Sequence, residues 1–120
     1  MLHHRFFEVA RRNWDVLAMA DSTGQKLSYG RALTGALLFA RQIRARTEGQ
    51  EMVGLMLPAS VGGALANIAT LCAGRIPVNL NFTAGGDSIA VAIERCKIRT
   101  IITSRVFLEK AGIAATPAMV

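Results

Sequence analysis

Between Leu2 and Met19 apolar residues recur at helical spacing. Phe6, Phe7, Ala10, Trp14 and Leu17 share one side, and Arg5, Glu8, Arg11, Arg12 and Asp15 take the other. This predicts an amphipathic helix. The polar turn Asp21-Ser22-Thr23-Gly24 then separates Leu17-Ala18-Met19-Ala20 from Lys26-Leu27-Ser28-Tyr29. Two short extended segments around a glycine suggest a small hairpin, whose first arm overlaps the end of that helix. Leu33, Ala36, Leu37, Ala40 and Ile43 return to helical spacing and give a second amphipathic helix, ending before Gly49.

From Met52 the pattern changes. Val53-Gly54-Leu55-Met56-Leu57 is a continuous apolar run stopped by Pro58, as in a strand buried on both faces. Ser60 is placed to cap a third helix through Cys72, apolar nearly all round and therefore predicted to be buried. Gly74 ends it, and Ile76-Pro77-Val78-Asn79-Leu80 follows as a second strand, with its proline near the start. Asp87 or Ser88 caps a fourth helix bearing Ile89, Ala92, Ile93 and Cys96 on one stripe. Thr100-Ile101-Ile102-Thr103 is a third strand, and Ser104 caps a short helix with Val106, Phe107 and Leu108. Strand, helix, strand, helix, strand at this spacing makes two βαβ units. The predicted fold is α/β, a small doubly wound parallel sheet with flanking helices. The stretch 114–120 reads as a frayed end or the edge of something longer.

At 120 residues the chain is one domain at most. With 52% hydrophobic and 18% charged residues, disorder is excluded. Aromatics are only 6%, so the core is expected to be aliphatic and alanine-rich. The net charge of +6 raises the question of nucleic acid. However, the eleven arginines are scattered, no run reaches four bases, and no aromatics interleave as a stacking platform requires. No nucleic-acid partner is therefore expected. Cys72 and Cys96 lack metal or redox spacing and read as small buried hydrophobes in a reducing compartment. No signal peptide precedes the sequon Asn81-Phe82-Thr83, and no apolar run is long enough to span a bilayer, so a cytoplasmic location is expected.

Motifs that would carry chemistry are few. The turn after the first strand, Pro58-Ala59-Ser60-Val61-Gly62-Gly63, does not spell the dinucleotide fingerprint. Its proline has no N–H for a pyrophosphate, and Gly62 and Gly63 read as close helix packing. No phosphate-loop lysine and no nucleophile elbow occurs. His3 and His4 are adjacent, so they are expected on different helix faces and not on a shared metal. The candidate site is Asn79 to Gly86, at the carboxyl end of the second strand, where open α/β sheets bind ligands. There Asn81 and Thr83 either line a pocket or bond their own backbone before a helix cap. No catalytic and no metal-binding residue is assigned.

VGLMLPASVGGAL (Val53 to Leu65), AGRIPVNLNFTAG (Ala73 to Gly85) and IRTIITSRVFLEKAGI (Ile98 to Ile113) together resemble a known family. It is the amino-terminal subdomain of the AMP-binding, acyl-activating enzymes. LSYGRAL (Leu27 to Leu33) matches the family's helix-opening segment, although Arg31 stands where an acidic residue would complete a capping box with Ser28. The pairing of NFTAG with TSRVFLEK is most similar to the synthetase half of bifunctional acyl-(acyl-carrier-protein) synthetase/2-acylglycerophosphoethanolamine acyltransferases. The resemblance runs from Phe6 to Ile113.

It implies that residues 1–120 are the amino-terminal fragment of a larger adenylate-forming, AMP-binding domain. The parent would be an ATP-dependent fatty acyl ligase using Mg2+, making an acyl-adenylate and passing it to the thiol of an acyl-carrier protein or coenzyme A. The family's phosphate loop ending in Pro-Lys-Gly, its later adenylate contacts and its carboxyl-terminal lysine do not occur in this chain. Neither Lys97 nor Lys110 sits in the motif of that lysine. The fragment alone is thus expected to be inactive and to hold no cofactor, with the remainder of the synthetase as its partner. Two other classes stay open. One is a non-catalytic membrane-interface module, with Phe6, Phe7 and Trp14 opposite arginines as a peripheral membrane contact. The other is a nucleotide-binding α/β module. Apolar surface left exposed by fragmentation would also pair chains as a dimer.

Overall fold

The structure is a computed structural model. It describes residues 2–22, 24–57, 60–80 and 86–104, without the side chains of 86–88. The elements in order are α1 (Leu2–Arg12), β1 (Leu17–Ala20), β2 (Lys26–Ser28), α2 (Tyr29–Arg46), β3 (Met52–Met56), α3 (Val61–Cys72), β4 (Ile76–Asn79), α4 (Gly86–Cys96) and β5 (Ile101–Thr103). β1 and β2 pair antiparallel, with a register shift between Leu17 and Met19. β3, β4 and β5 form a parallel sheet in the order β4-β3-β5.

The central strand explains the layering. Successive residues of β3 point to opposite faces. Val53 and Leu55 pack with Ile43 of α2, Ala66 and Ala69 of α3, and Ile102. Met52 and Met56 pack with Leu80, Ile98, Ile101 and the Ile89, Ala92, Ile93 and Cys96 stripe of α4. Helices therefore cover both faces, as the doubly wound pattern predicts. Ala32, Ala36, Ala40, Ala66 and Ala69 are all buried, which gives the expected alanine-rich core. These short side chains let α2 and α3 approach closely. Ser28 and Ser60 cap α2 and α3, accepting from Arg31 N at 3.3 Å and Gly63 N at 3.1 Å.

Five local expectations change. The first helix stops at Arg12, not Met19. Asn13 Nδ2 donates to Val9 O at 2.9 Å, and Val16 N donates to Asn13 O at 2.9 Å, turning the chain out of the helix. The carbonyls of Trp14 and Val16 then accept from Gly30 N and Tyr29 N, each at 2.8 Å. Both donors belong to the first turn of α2, which has no partners of its own. Trp14 thus leaves the α1 stripe and lies over Gly30, where a Cβ would stand 2.5 Å from Nε1. Second, α3 is covered on one side only: Ala64 is exposed and Leu65, Ile68 and Leu71 are half-buried. Gly63 is buried but Gly62 is exposed, so close packing accounts for Gly63 alone.

Third, α4 opens at Gly86, which puts Asp87 and Ser88 inside its first turn rather than before it. Fourth, the His3 and His4 rings are not separated, their centroids standing 4.2 Å apart. Desolvation and then the His4 charge push the His3 pKa down. Cys72 and Cys96 are half-buried free thiols rather than fully buried ones. The predicted helix at Val106, Phe107 and Leu108, and residues 114–120, lie outside the described residues. No described helix is long and apolar enough to cross a membrane.

Candidate functional site

Parallel strands bring their carboxyl ends to one edge, and here that edge is built by Leu57, Asn79 and Thr103. Two adjoining clefts share Leu57, Ser60 and Gly63. The one toward β4, of ≈ 450 Å³, is closed by Asn67 and Asn79. The one toward β5, of ≈ 280 Å³, adds Gln25, Phe39, Thr103 and Ser104. Asn67 Nδ2 donates to Asn79 Oδ1 at 3.2 Å, and Asn79 Nδ2 returns to Asn67 Oδ1 at 3.0 Å. This reciprocal amide pair ties α3 to the end of β4 and holds both side chains in fixed planes. Thr103 Oγ1 donates to Met56 O at 2.8 Å and so joins the ends of β5 and β3.

The amino terminus of α3 faces this edge and is already supplied with acceptors. Val61 N donates to Asp21 Oδ2 at 3.0 Å, and Asp21 Oδ1 also accepts from Gln25 N at 3.3 Å. The hairpin thus sets its own carboxylate where a dinucleotide phosphate would sit, against the positive end of the helix. Asp21→Ala is expected to lower stability by about 1 kcal/mol, because it leaves the Val61 N–H without this acceptor. Asp21→Asn should recover part of the loss. Urea unfolding followed by circular dichroism checks both, and no change in Asp21→Ala would remove the carboxylate's role.

Among the described residues no cation lines either cleft, and those that line them supply neutral hydrogen-bonding groups and apolar walls. Among the described residues no three His, Cys, Asp or Glu side chains are grouped to hold a metal. Burial pushes the Cys72 thiol up, away from the thiolate a nucleophile requires. Of the sequence candidates, Asn81 and Thr83 fall outside the described residues. Asn67 and Asp21 carried no sequence signal of a site, whereas Asn79 opens the stretch that the sequence singles out at the carboxyl end of the second strand.

A parallel sheet with helices on both faces and clefts open at its carboxyl edge defines a doubly wound α/β subdomain. The profile of the family described as AMP-binding enzyme matches residues 6–119. The chain belongs to the AMP-binding enzyme family. Among solved structures, the nonribosomal peptide synthetase FmoA3 in its AMPPNP-bound form superposes with a TM-score of 0.85 at 21% identity. The match covers 100% of this chain and 13% of that one. The Klebsiella oxytoca NpsA amino-terminal subdomain gives 0.80 at 15% identity, covering 98% of this chain and 30% of that one. Its complex with 3-hydroxyanthranilyl-AMSN gives 0.81 at 15% identity, with the same 98% and 30% coverage. At such identities the likeness establishes the adenylate-forming fold of this subdomain, and the chain spans less than a third of each of these proteins.

Proposed function

We propose that residues 1–120 are the amino-terminal part of an AMP-binding domain whose parent is an ATP-dependent fatty acyl ligase. The observation that supports this is the family match over residues 6–119, joined to a sheet whose carboxyl edge carries two clefts lined by amide, hydroxyl and apolar side chains. In the proposed reaction a fatty carboxylate oxygen attacks the α-phosphorus of ATP and pyrophosphate leaves. A thiol of an acyl-carrier protein or coenzyme A then attacks the acyl carbonyl, and AMP leaves. Mg2+ supplies charge neutralisation of the phosphates when bound. This segment's role is to support the acyl and adenylate pocket, with Asn81 and Thr83 as its polar contacts beyond β4. The phosphate-handling and catalytic groups belong to the remainder of the synthetase, so the segment by itself is inactive.

The test is pyrophosphate–ATP exchange by the gene product extended past Val120, over a panel of fatty, aryl and amino acids. Exchange dependent on fatty acids is expected. Exchange with aryl or amino acids alone would overturn the fatty-acid assignment while keeping adenylation, and exchange with none would overturn the ligase itself. In the active protein, Asn81→Ala with Thr83→Val should raise KM for the carboxylate or ATP by about tenfold, the loss of roughly one charge-assisted hydrogen bond.

A further inference from the structure

At the amino-terminal edge of the sheet, opposite the candidate site, the end of α4 and the start of β3 enclose a cleft of ≈ 380 Å³. Arg95, Lys97, Arg99, Gln50 and Glu51 line it. Arg95, Lys97 and Arg99 are exposed, and none of the three makes an ion pair or side-chain hydrogen bond with another described residue. Glu51 lines the same cleft without engaging them. Gln50 Nε2 donates to Thr100 Oγ1 at 3.0 Å, while its Oε1 is buried with no donor. The cleft is therefore lined by three cations without described partners, with the Glu51 carboxylate on the same wall.

The backbone singles out Lys97. Each helix that runs into this edge is followed by a residue in the left-handed region. After α2 it is Gly49 at φ 75°, and after α3 it is Gly74 at φ 78°. After α4 it is Lys97 at φ 53°, with Ile98 N donating to Ile93 O at 3.0 Å to close the helix. A side chain is disfavoured there, and glycine would close the same turn without strain. Complementing the negative end of α4 does not account for a lysine at that position, because Arg95 already stands in the last turn. The turn after α3 closes in the same way, with Arg75 N donating to Thr70 O behind Gly74, so strain retained at Lys97 points to a use for the ammonium group.

We propose that this cleft binds a phosphate group of the phosphomonoester class. Two guanidinium groups and an ammonium line it, a donor set that matches tetrahedral phosphate oxygens. Among the described residues no aromatic side chain lines the cleft to stack a base, and Met52 and Cys96 form its apolar floor, so the recognised part is the phosphate itself. The site does not depend on the ligase assignment, since it lies at the other edge of the sheet and uses other residues.

The experiment titrates the full chain with phenyl phosphate at ~0.15 M salt, following binding by calorimetry. Saturable binding is expected, weakened about tenfold by Lys97→Gly and similarly by Arg99→Gln. Lys97→Gly should at the same time raise Tm by about 4 °C, because glycine relieves the left-handed turn. Opposite movement of stability and affinity is the signature, and a variant that folds better cannot lose binding by unfolding. Vesicles containing phosphatidate that compete with phenyl phosphate would identify a lipid headgroup as the source. Vesicles that do not compete would identify a soluble phosphomonoester, and either supports the site. Non-saturable association unchanged by both substitutions would overturn the proposal as general attraction to a basic surface. Equal competition by polyglutamate would overturn the phosphate class in favour of an acidic protein.

Discussion

Leu55→Ala is expected to lower the stability of this chain by about 3 kcal/mol, within the range for emptied core sites. Leu55 is 2% exposed, lies on the central strand and packs where α2, α3 and the sheet converge. Its neighbours are poorly able to close the gap. Ala66, Ala69 and Ala40 have no side-chain reach, and Val53 is held by its backbone pairing to β4. Against a total of about 5–15 kcal/mol for a domain, that loss is a large fraction. Urea unfolding should show a midpoint lower by about 1.5 M with an unchanged slope. A loss below about 1 kcal/mol would mean that the α2–α3 layer yields more readily than its packing indicates.

On the opposite face of the same strand, Gly54→Val is expected to destabilise through crowding rather than through a cavity. A Cβ at Gly54 would stand 3.1 Å from Ile98 Cγ2, 3.1 Å from Leu80 Cδ1 and 3.3 Å from Ile101 Cγ1. Two further methyl groups must then displace side chains that also form the α4 layer. Overpacking of this kind costs about 1–3 kcal/mol, partly offset by up to about 1 kcal/mol of strand preference for valine. The net loss should be about 2 kcal/mol. Gly54→Ala separates the two effects: one methyl crowds the same atoms while relieving glycine's entropy in a strand, so it should lie close to neutral. Thermal melts of both variants check the order, and equal losses would show that backbone freedom, not packing, governs this position.

The order of elements from β3 to β5 was legible because each carries a local signature. Unbroken apolar runs mark strands covered on both faces, and Ser28, Ser60 and Gly74 punctuate the helices beside them. The end of the first helix was not legible. The Trp14 and Leu17 positions continue the helical stripe by periodicity, yet the backbone there is claimed by the amides of Tyr29 and Gly30 and by pairing with β2. The burial of α3 was overestimated for a related reason. Composition shows that a helix is apolar all round, but not how many neighbours arrive to cover it.

The candidate site divides along the same line. That a cleft forms at the carboxyl ends of parallel strands follows from the βαβ pattern alone, as does the lack of any phosphate-loop motif at the first turn. What the pattern does not show is that Asp21 reaches the first amide of α3 from 40 residues away. The Asn67–Asn79 amide pair and the gathering of Gln50 with Arg95, Lys97 and Arg99 are likewise products of folding. Periodicity and caps report interactions between residues a few positions apart, where the chain itself sets the distance. The sequence by itself therefore determined the α/β order, the two-sided burial of β3 and the family to which the chain belongs. Only the tertiary structure decided which carboxylate fills the helix terminus, which amides lock the cleft and which cations stand without partners. Contacts between distant segments depend on how the layers stack, and no local pattern encodes that stacking.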